Sequence, residues 1–178
     1  MSTVVSHSVV TRGPSSGRLA ALDALLDRPS RELELLYREA RVPHLGDVRG
    51  HLRGRMLAWP MLDRRPVIAG ALRAFAGSRG FPWRGKSFRP HDEDRGEGIN
   101  RVFTDRLRLF RFDTSIGPSR AGSFDALQLD YDLDGNPGII RRIKDEIREI
   151  EPGVWLGQAY FATRRRAILW LYFGLATP

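Results

Sequence analysis

The chain contains no cysteine, which excludes disulfides and thiolate metal sites. It has no apolar run of about eighteen residues and no basic segment leading into an apolar stretch at its start, so neither a membrane span nor a secretory leader is expected. A soluble, cytoplasmic protein with no membrane partner is the expectation. Lysine is nearly missing too: Lys86 and Lys144 are the only two among 29 basic residues. Arginine skew with abundant Ala and Gly is what a GC-rich genome produces without selection for anion binding. This weakens the nucleic-acid reading that a net charge of +8 invites. The excess is also uneven, with 13 Lys/Arg against 7 Asp/Glu in residues 1–80 and 16 against 14 in residues 81–178. Nucleic acid is not expected as a partner.

The usual chemical motifs are missing as well. There is no nucleophile elbow, P-loop or dinucleotide fingerprint, and the four histidines lack metal-helix spacing, so no cofactor and no metal is expected. His91-Asp92-Glu93-Asp94 reads as a solvated loop. Asp130, Asp132 and Asp134 do not complete a calcium loop and read as a turn with outward acids.

What the sequence does carry is an order of elements. At 178 residues it has the length of one domain with a substantial core. Residues 1–17 read as a flexible leader and 18–178 as the domain, with a helical lead-in over 18–80 and strands over 81–178. Leu19, Leu22, Leu25 and Leu26 mark one amphipathic helix, and Leu33, Leu36, Tyr37 and Ala40 a second. Between Val42 and Pro60, Gly46, Gly50 and Gly54 recur every four residues, compatible with a helix face or with a loop and a strand from Leu52 to Trp59. Arg64 to Ser78 reads as a helix. Strands are expected over 83–88, 99–103 and 106–116, with a charged loop over 91–98 between the first two. Leu127, Leu129 and Tyr131 alternate with polar residues as in a further strand. Ile139, Ile143, Ile147 and Ile150, at spacings of four, four and three, predict a short helix over 137–150. Strands Val154–Phe161 and Ala167–Ala176 follow. In the last, Ile168, Trp170 and Tyr172 are expected on one face and Leu169, Leu171, Phe173 and Leu175 on the other. The fold class expected is α+β, a mostly antiparallel barrel with N-terminal helices packed against it.

The stretch Trp83-Arg84-Gly85-Lys86-Ser87-Phe88 carries a resemblance, with Gly50-His51-Leu52-Arg53-Gly54 upstream and Arg148-Glu149-Ile150 and Val154-Trp155-Leu156-Gly157 downstream. The chain resembles, from about Pro43 to Leu175, the uncharacterised bacterial proteins that pair a GXWXG-type segment with a following domain of unknown function. Asn100-Arg101 stands where their Asn-Arg element would, and Leu52 stands where their first motif has tryptophan. The resemblance implies a lipocalin-like (calycin-like) barrel and brings no activity with it.

Aromatic residues on the expected strands supply the candidate site. Trp83, Tyr131, Trp155, Tyr160, Trp170 and Tyr172 either fill the barrel or line an apolar cavity with a few polar heads. Lys86 and Arg101, on short strands among apolar neighbours, each need an anionic partner if they point inward, such as Asp130, Asp132 or a ligand carboxylate. The sequence therefore points to a barrel that binds a hydrophobic or amphipathic small molecule. If catalytic, it is a cofactor-independent cyclase or isomerase of specialised metabolism in which Tyr131, Tyr160 or Lys86 orients or protonates a carbonyl. Trp83, Arg101, Asp130, Trp155, Trp170 and Tyr172 are the ligand-binding candidates. A non-enzymatic carrier and a basic binding module are the alternatives, and a homodimer stays open.

Overall fold

A computed structural model describes residues 14–78, 82–103 and 106–178. Two helices, α1 (Pro14–Ala24, extended by a 3-10 turn at Leu25–Asp27) and α2 (Ser30–Glu39), lead into β1 (Gly50–Ala58). A third helix, α3 (Pro66–Gly77), connects β1 to β2 (Trp83–Pro90). Then come β3 (Arg95–Val102), β4 (Arg108–Pro118), β5 (Asp125–Asp130), β6 (Ile143–Glu151), β7 (Val154–Ala162) and β8 (Ala167–Ala176). All eight strands pair antiparallel with their sequence neighbours, and β1 pairs with β8 to close the barrel. This is the expected calycin-like α+β barrel with helices packed against it. No helix among the described residues is long and apolar enough to cross a membrane.

Two cores result from strand alternation. Inside the barrel lie Leu52, Phe88, Phe112, Leu129, Ile147, Trp155 and Phe173 with their neighbours. Outside, Leu22, Leu25, Leu33 and Tyr37 of the helices pack on Leu57, Val154, Leu156 and Tyr172. β7 and β8 are therefore apolar on both faces, because one face meets the interior and the other the helices. The segment after α2 closes one end of the barrel: Leu45 and Val48 belong to the interior core, and Arg41 forms a bridge to Glu149 of β6. Arg148 clamps the same region, with its guanidinium 4.2 Å from the Phe124 ring centroid and hydrogen bonds donated to the carbonyls of Ala40 and Asp125.

Three expectations are corrected. The helix over 137–150 is instead a 3-10 turn at Ile140–Arg142 followed by strand β6. A spacing of four is a multiple of the strand period of two, so Ile143 and Ile147 share the interior face of a strand as readily as one side of a helix. The lead-in over 18–80 contains β1, so the barrel begins at Gly50; there Leu52 and Met56 belong to the interior core. In β8 a register shift pairs Ala159 with Leu171 but Tyr160 with Leu169, which leaves Trp170 as the extra residue. Trp170 thereby joins Leu171 and Phe173 at the interior cavity, while Leu169 and Tyr172 join the outer core. Of the leader expected over 1–17, residues 1–13 lie outside the described residues, and α1 already begins at Pro14.

Close approach explains Gly157. A Cβ there would stand 2.2, 2.4 and 2.6 Å from three ring carbons of Phe173, whose residue pairs across from it. We expect Gly157→Ala to destabilise the barrel by about 1–3 kcal/mol through overpacking. Urea unfolding of the two proteins checks this; equal midpoints would show that the Phe173 ring can move at no cost.

Candidate functional site

Among the described residues the barrel interior contains one ammonium group. Lys86, in the middle of β2, has its side chain turned inward and is 3% exposed. Its Nζ donates to Asp145 Oδ2 at 2.9 Å, to Asn100 Oδ1 at 2.9 Å and to the Tyr131 hydroxyl at 2.5 Å. The same Nζ lies 5.1–5.5 Å from the ring centroids of Trp83, Phe112, Tyr131 and Phe173, near enough for attraction to each π face. Five strands and the residue just past β5 thus meet here: β2 brings Lys86 and Trp83, β3 Asn100, β4 Phe112, β6 Asp145, β8 Phe173, and Tyr131 follows β5.

Counting donors and acceptors shows how completely the cluster is used. The three Lys86 protons are all committed. Asn100 Oδ1 accepts from Lys86 and from Trp83 Nε1 (3.1 Å), while its Nδ2 donates to the Phe110 carbonyl (3.2 Å) and the Tyr131 hydroxyl (3.1 Å). The Tyr131 hydroxyl donates to Asp145 Oδ2 at 3.0 Å. What is left over is Asp145 Oδ1, which is buried and has no hydrogen-bond partner among the described residues. Burial lowers the Lys86 ammonium below its ordinary pKa, and the adjacent Asp145 carboxylate works in the opposite direction. Burial, reinforced by Asp145, pushes the Tyr131 hydroxyl well above the ordinary tyrosine value.

These groups line a cavity of about 190 Å³ whose remaining walls are apolar, among them Met56, Val102, Phe110, Ile143, Trp170 and Leu171. Ile140, Ile143 and Trp170 are shared with an apolar vestibule of about 410 Å³ completed by Met61, Ile139, Phe161 and Ile168. Among the described residues no group of three or more His, Asp or Glu side chains is placed to hold a metal ion.

The structure brings together Lys86, Tyr131, Trp83 and Trp170 from the candidates and separates the others. Tyr160 and Tyr172 project from the outer face, where Tyr160 donates to Gln158 Oε1 at 2.5 Å and Gln158 donates to the Tyr172 hydroxyl at 3.4 Å. Burial is the first cause of the raised pKa of both, and Tyr172 is pushed up to about 12. Arg101 also points outward, across Gly85, donating to the Leu52 carbonyl at 2.5 Å. Asp130 is exposed and ion-paired with Lys144, and so is not the partner of Lys86. Trp155 is interior but is not part of the cavity wall. Sequence reasoning missed Asp145 and Asn100. The helix expected over 137–150, with its isoleucine stripe inward, places Asp145 among the polar residues of its other faces; read as a strand, Ile143, Asp145 and Ile147 share one face, and this alternation is the available signal.

No protein-family model matches the chain, and no curated protein matches it. A solved structure, described as a crystal structure of a protein from Thermomonospora curvata, is similar in fold, with a TM-score of 0.52 and 20% identity over 92% of this chain and 98% of that one. At that identity the likeness concerns the fold alone.

Lys86→Met leaves Asp145 buried without its counter-ion, so we expect a loss of about 3–5 kcal/mol of stability, whereas Lys86→Met combined with Asp145→Leu recovers most of it. Denaturant unfolding of the three proteins checks this, and a double variant no better than the single one would refute it. The raised outer tyrosines set an alkaline limit. Tyr172 ionises near 10 when unfolded and near 12 when folded, so its contribution is intact below pH ~10 and is lost as pH climbs from there toward 12. Lys86, lowered by burial, acts in the opposite sense, adding stability as pH rises toward its unfolded value of ~10.4. Melting temperature should fall above pH ~10, less steeply in Tyr172→Phe; identical slopes in the two proteins would contradict this.

Proposed function

We propose that the barrel binds a small, mostly apolar molecule carrying one hydrogen-bond donor, a hydroxyl or N–H, which is accepted by Asp145 Oδ1. The observation that supports it is the donor count. Every side-chain proton on Lys86 and Asn100 and the Tyr131 hydroxyl proton already has an acceptor, while Asp145, which lines the cavity, keeps one buried carboxylate oxygen without a partner among the described residues. A guest with only a carbonyl finds no uncommitted donor in that arrangement. A guest with a hydroxyl meets an acceptor, and a buried charged acceptor left unmatched costs more than a typical hydrogen bond contributes. Size supports a compact guest. An apolar cavity of about 150 Å³ accommodates benzene, so about 190 Å³ suits a single substituted ring, with the vestibule receiving a longer substituent.

A cofactor-independent isomerase is the second reading, favoured by the same acceptor. Asp145 Oδ1 would take a proton from one atom of the guest and return it to another, with Lys86 beside the carboxylate throughout. A carrier would use the same contacts without proton movement. The resemblance to GXWXG-type proteins also stands as our reading, supported by the placement of Trp83, Lys86 and Asn100 from its motifs at the cavity wall.

Trp83 and Trp170 at the wall give a fluorescence readout. We expect 4-ethylphenol to bind about tenfold or more tighter than acetophenone of matched size, as a hydrogen bond to a charged acceptor implies. Equal affinities would eliminate the donor requirement, and absence of binding by either would eliminate the pocket. Deuterium from solvent appearing at a carbon of the bound guest, and lost in Asp145→Asn, would select the isomerase over the carrier.

A further inference from the structure

The exposed apolar side chains and the net positive charge are concentrated at one end of the barrel. Among the described residues ten large apolar side chains are exposed, and nine of them lie in or beside the connections β1–β2, β3–β4, β5–β6 and β7–β8, where Met61, Ile139, Ile168 and Trp170 line the vestibule. Met61 is 72% exposed, Val67 84% and Ile139 66%, with Phe103, Ile168 and Trp170 also open to solvent. Isolated exposed apolar residues are ordinary, but a patch of this extent around an open cavity marks a contact surface. Leu35, on α2, is the tenth and stands apart.

Charge follows the same division. Residues 59–78, 82, 103, 106–107, 131–142 and 163–166, the described residues that connect the strands at this end, contain nine arginines and three aspartates, a formal +6 against +8 for the whole chain. Arg64, Arg65, Arg142, Arg164, Arg165 and Arg166 are exposed. The acids are occupied locally, Asp132 and Asp134 by Arg141 at 2.7 and 3.4 Å, and Asp63 by the Ser30 hydroxyl at 2.9 Å. At the opposite end, the turns over 91–94, 119–124 and 152–153 contain three acids and one arginine. The closing segment over 40–49 adds two arginines and one aspartate, which brings this end close to neutral. The molecule is therefore polarised along the barrel axis, basic and apolar where the vestibule opens and nearly uncharged where Leu45 and Val48 close it.

The geometry points to docking of this end on an anionic lipid bilayer, with the apolar tips inserted between headgroups, the arginines among the phosphates and the vestibule facing the acyl region. Apolar side chains mixed with arginine suit an interface that is greasy below and negatively charged above. An acidic protein surface would match the arginines but would leave the protruding Met61, Val67 and Ile139 without apolar partners. The inference rests on the guest reading for its purpose, since an apolar guest dissolved in the membrane would reach the vestibule without crossing water. It concerns contact with the surface and needs no spanning segment.

Co-sedimentation of the full chain with vesicles tests it. We expect capture by vesicles of equal parts phosphatidylcholine and phosphatidylglycerol at low salt, little capture by phosphatidylcholine alone, and release at high salt. Replacing Arg164, Arg165 and Arg166 together by Ala, in an exposed turn where folding is not at risk, should reduce partitioning roughly a hundredfold, three charges at about fivefold each. Met61→Ser with Ile139→Ser should also reduce it without moving the unfolding midpoint. Equal capture by neutral and anionic vesicles, or none by either, overturns the inference. So does a dimer in sedimentation velocity that the Met61→Ser, Ile139→Ser protein fails to form, since the patch then serves a second copy. Titration with 4-ethylphenol without vesicles separates the two readings: capture by vesicles with no uptake of the phenol sinks the guest and leaves the docking surface standing.

Discussion

The ion pair between Lys86 and Asp145 is the constraint around which the interior is arranged. Taking an ammonium and a carboxylate out of water costs several kcal/mol per ion, and their attraction offsets this only if geometry is good and the remaining hydrogen-bonding capacity is met. The barrel meets that condition for the ammonium, with Asn100 and Tyr131 occupying its other two protons and four aromatic rings within 5.1–5.5 Å of Nζ, but leaves one oxygen of the carboxylate without a partner among the described residues. An apolar pair of equal volume would serve stability at least as well. Stability alone therefore does not account for a polar cluster in this position.

The requirement propagates outward through β6. Asp145 and Glu146 are consecutive acids, so alternation sends one to each face. Asp145 meets Lys86 inside. Glu146 is fully buried outside, accepting from the Tyr37 hydroxyl (3.1 Å), Ser119 Oγ (2.6 Å) and the Arg120 backbone N–H (3.0 Å). Burial and Glu146 together push the Tyr37 hydroxyl pKa upward. The helical layer is thus pinned to the strand that carries the inner carboxylate, and α2 sets the position of β6 as well as covering it. At the mouth, the bulge at Trp170 turns an indole from the outer layer toward the cavity, joining the site to the apolar rim.

Reading the sequence succeeded where the strand pattern had no competitor. The limits of β8 over 167–176 and the start of β7 at Val154 coincide with expectation, because long alternating β-branched and aromatic runs fit a strand alone. It failed where the spacing was four. Gly50, Gly54 and their neighbours in β1, and Ile143 and Ile147 in β6, satisfy helix and strand periods at once. The helix reading of 137–150 hid Asp145 among surface acids, so the cation on β2 was offered the wrong carboxylates, Asp130 and Asp132. Tyr160 and Tyr172 were indistinguishable from Tyr131 in composition; the face of the sheet separates them.

By itself the sequence determined the antiparallel, aromatic-rich strand set and the helical beginning, and it offered two cations, Lys86 and Arg101, each in need of a partner if turned inward. These are local properties, written in side-chain alternation and turn residues. Closure of β1 on β8, the bulge at Trp170 and the choice of Asp145 for Lys86 were decided only by the tertiary structure. Lys86 and Asp145 are 59 residues apart, and no short-range pattern encodes which side chains a closed barrel brings face to face.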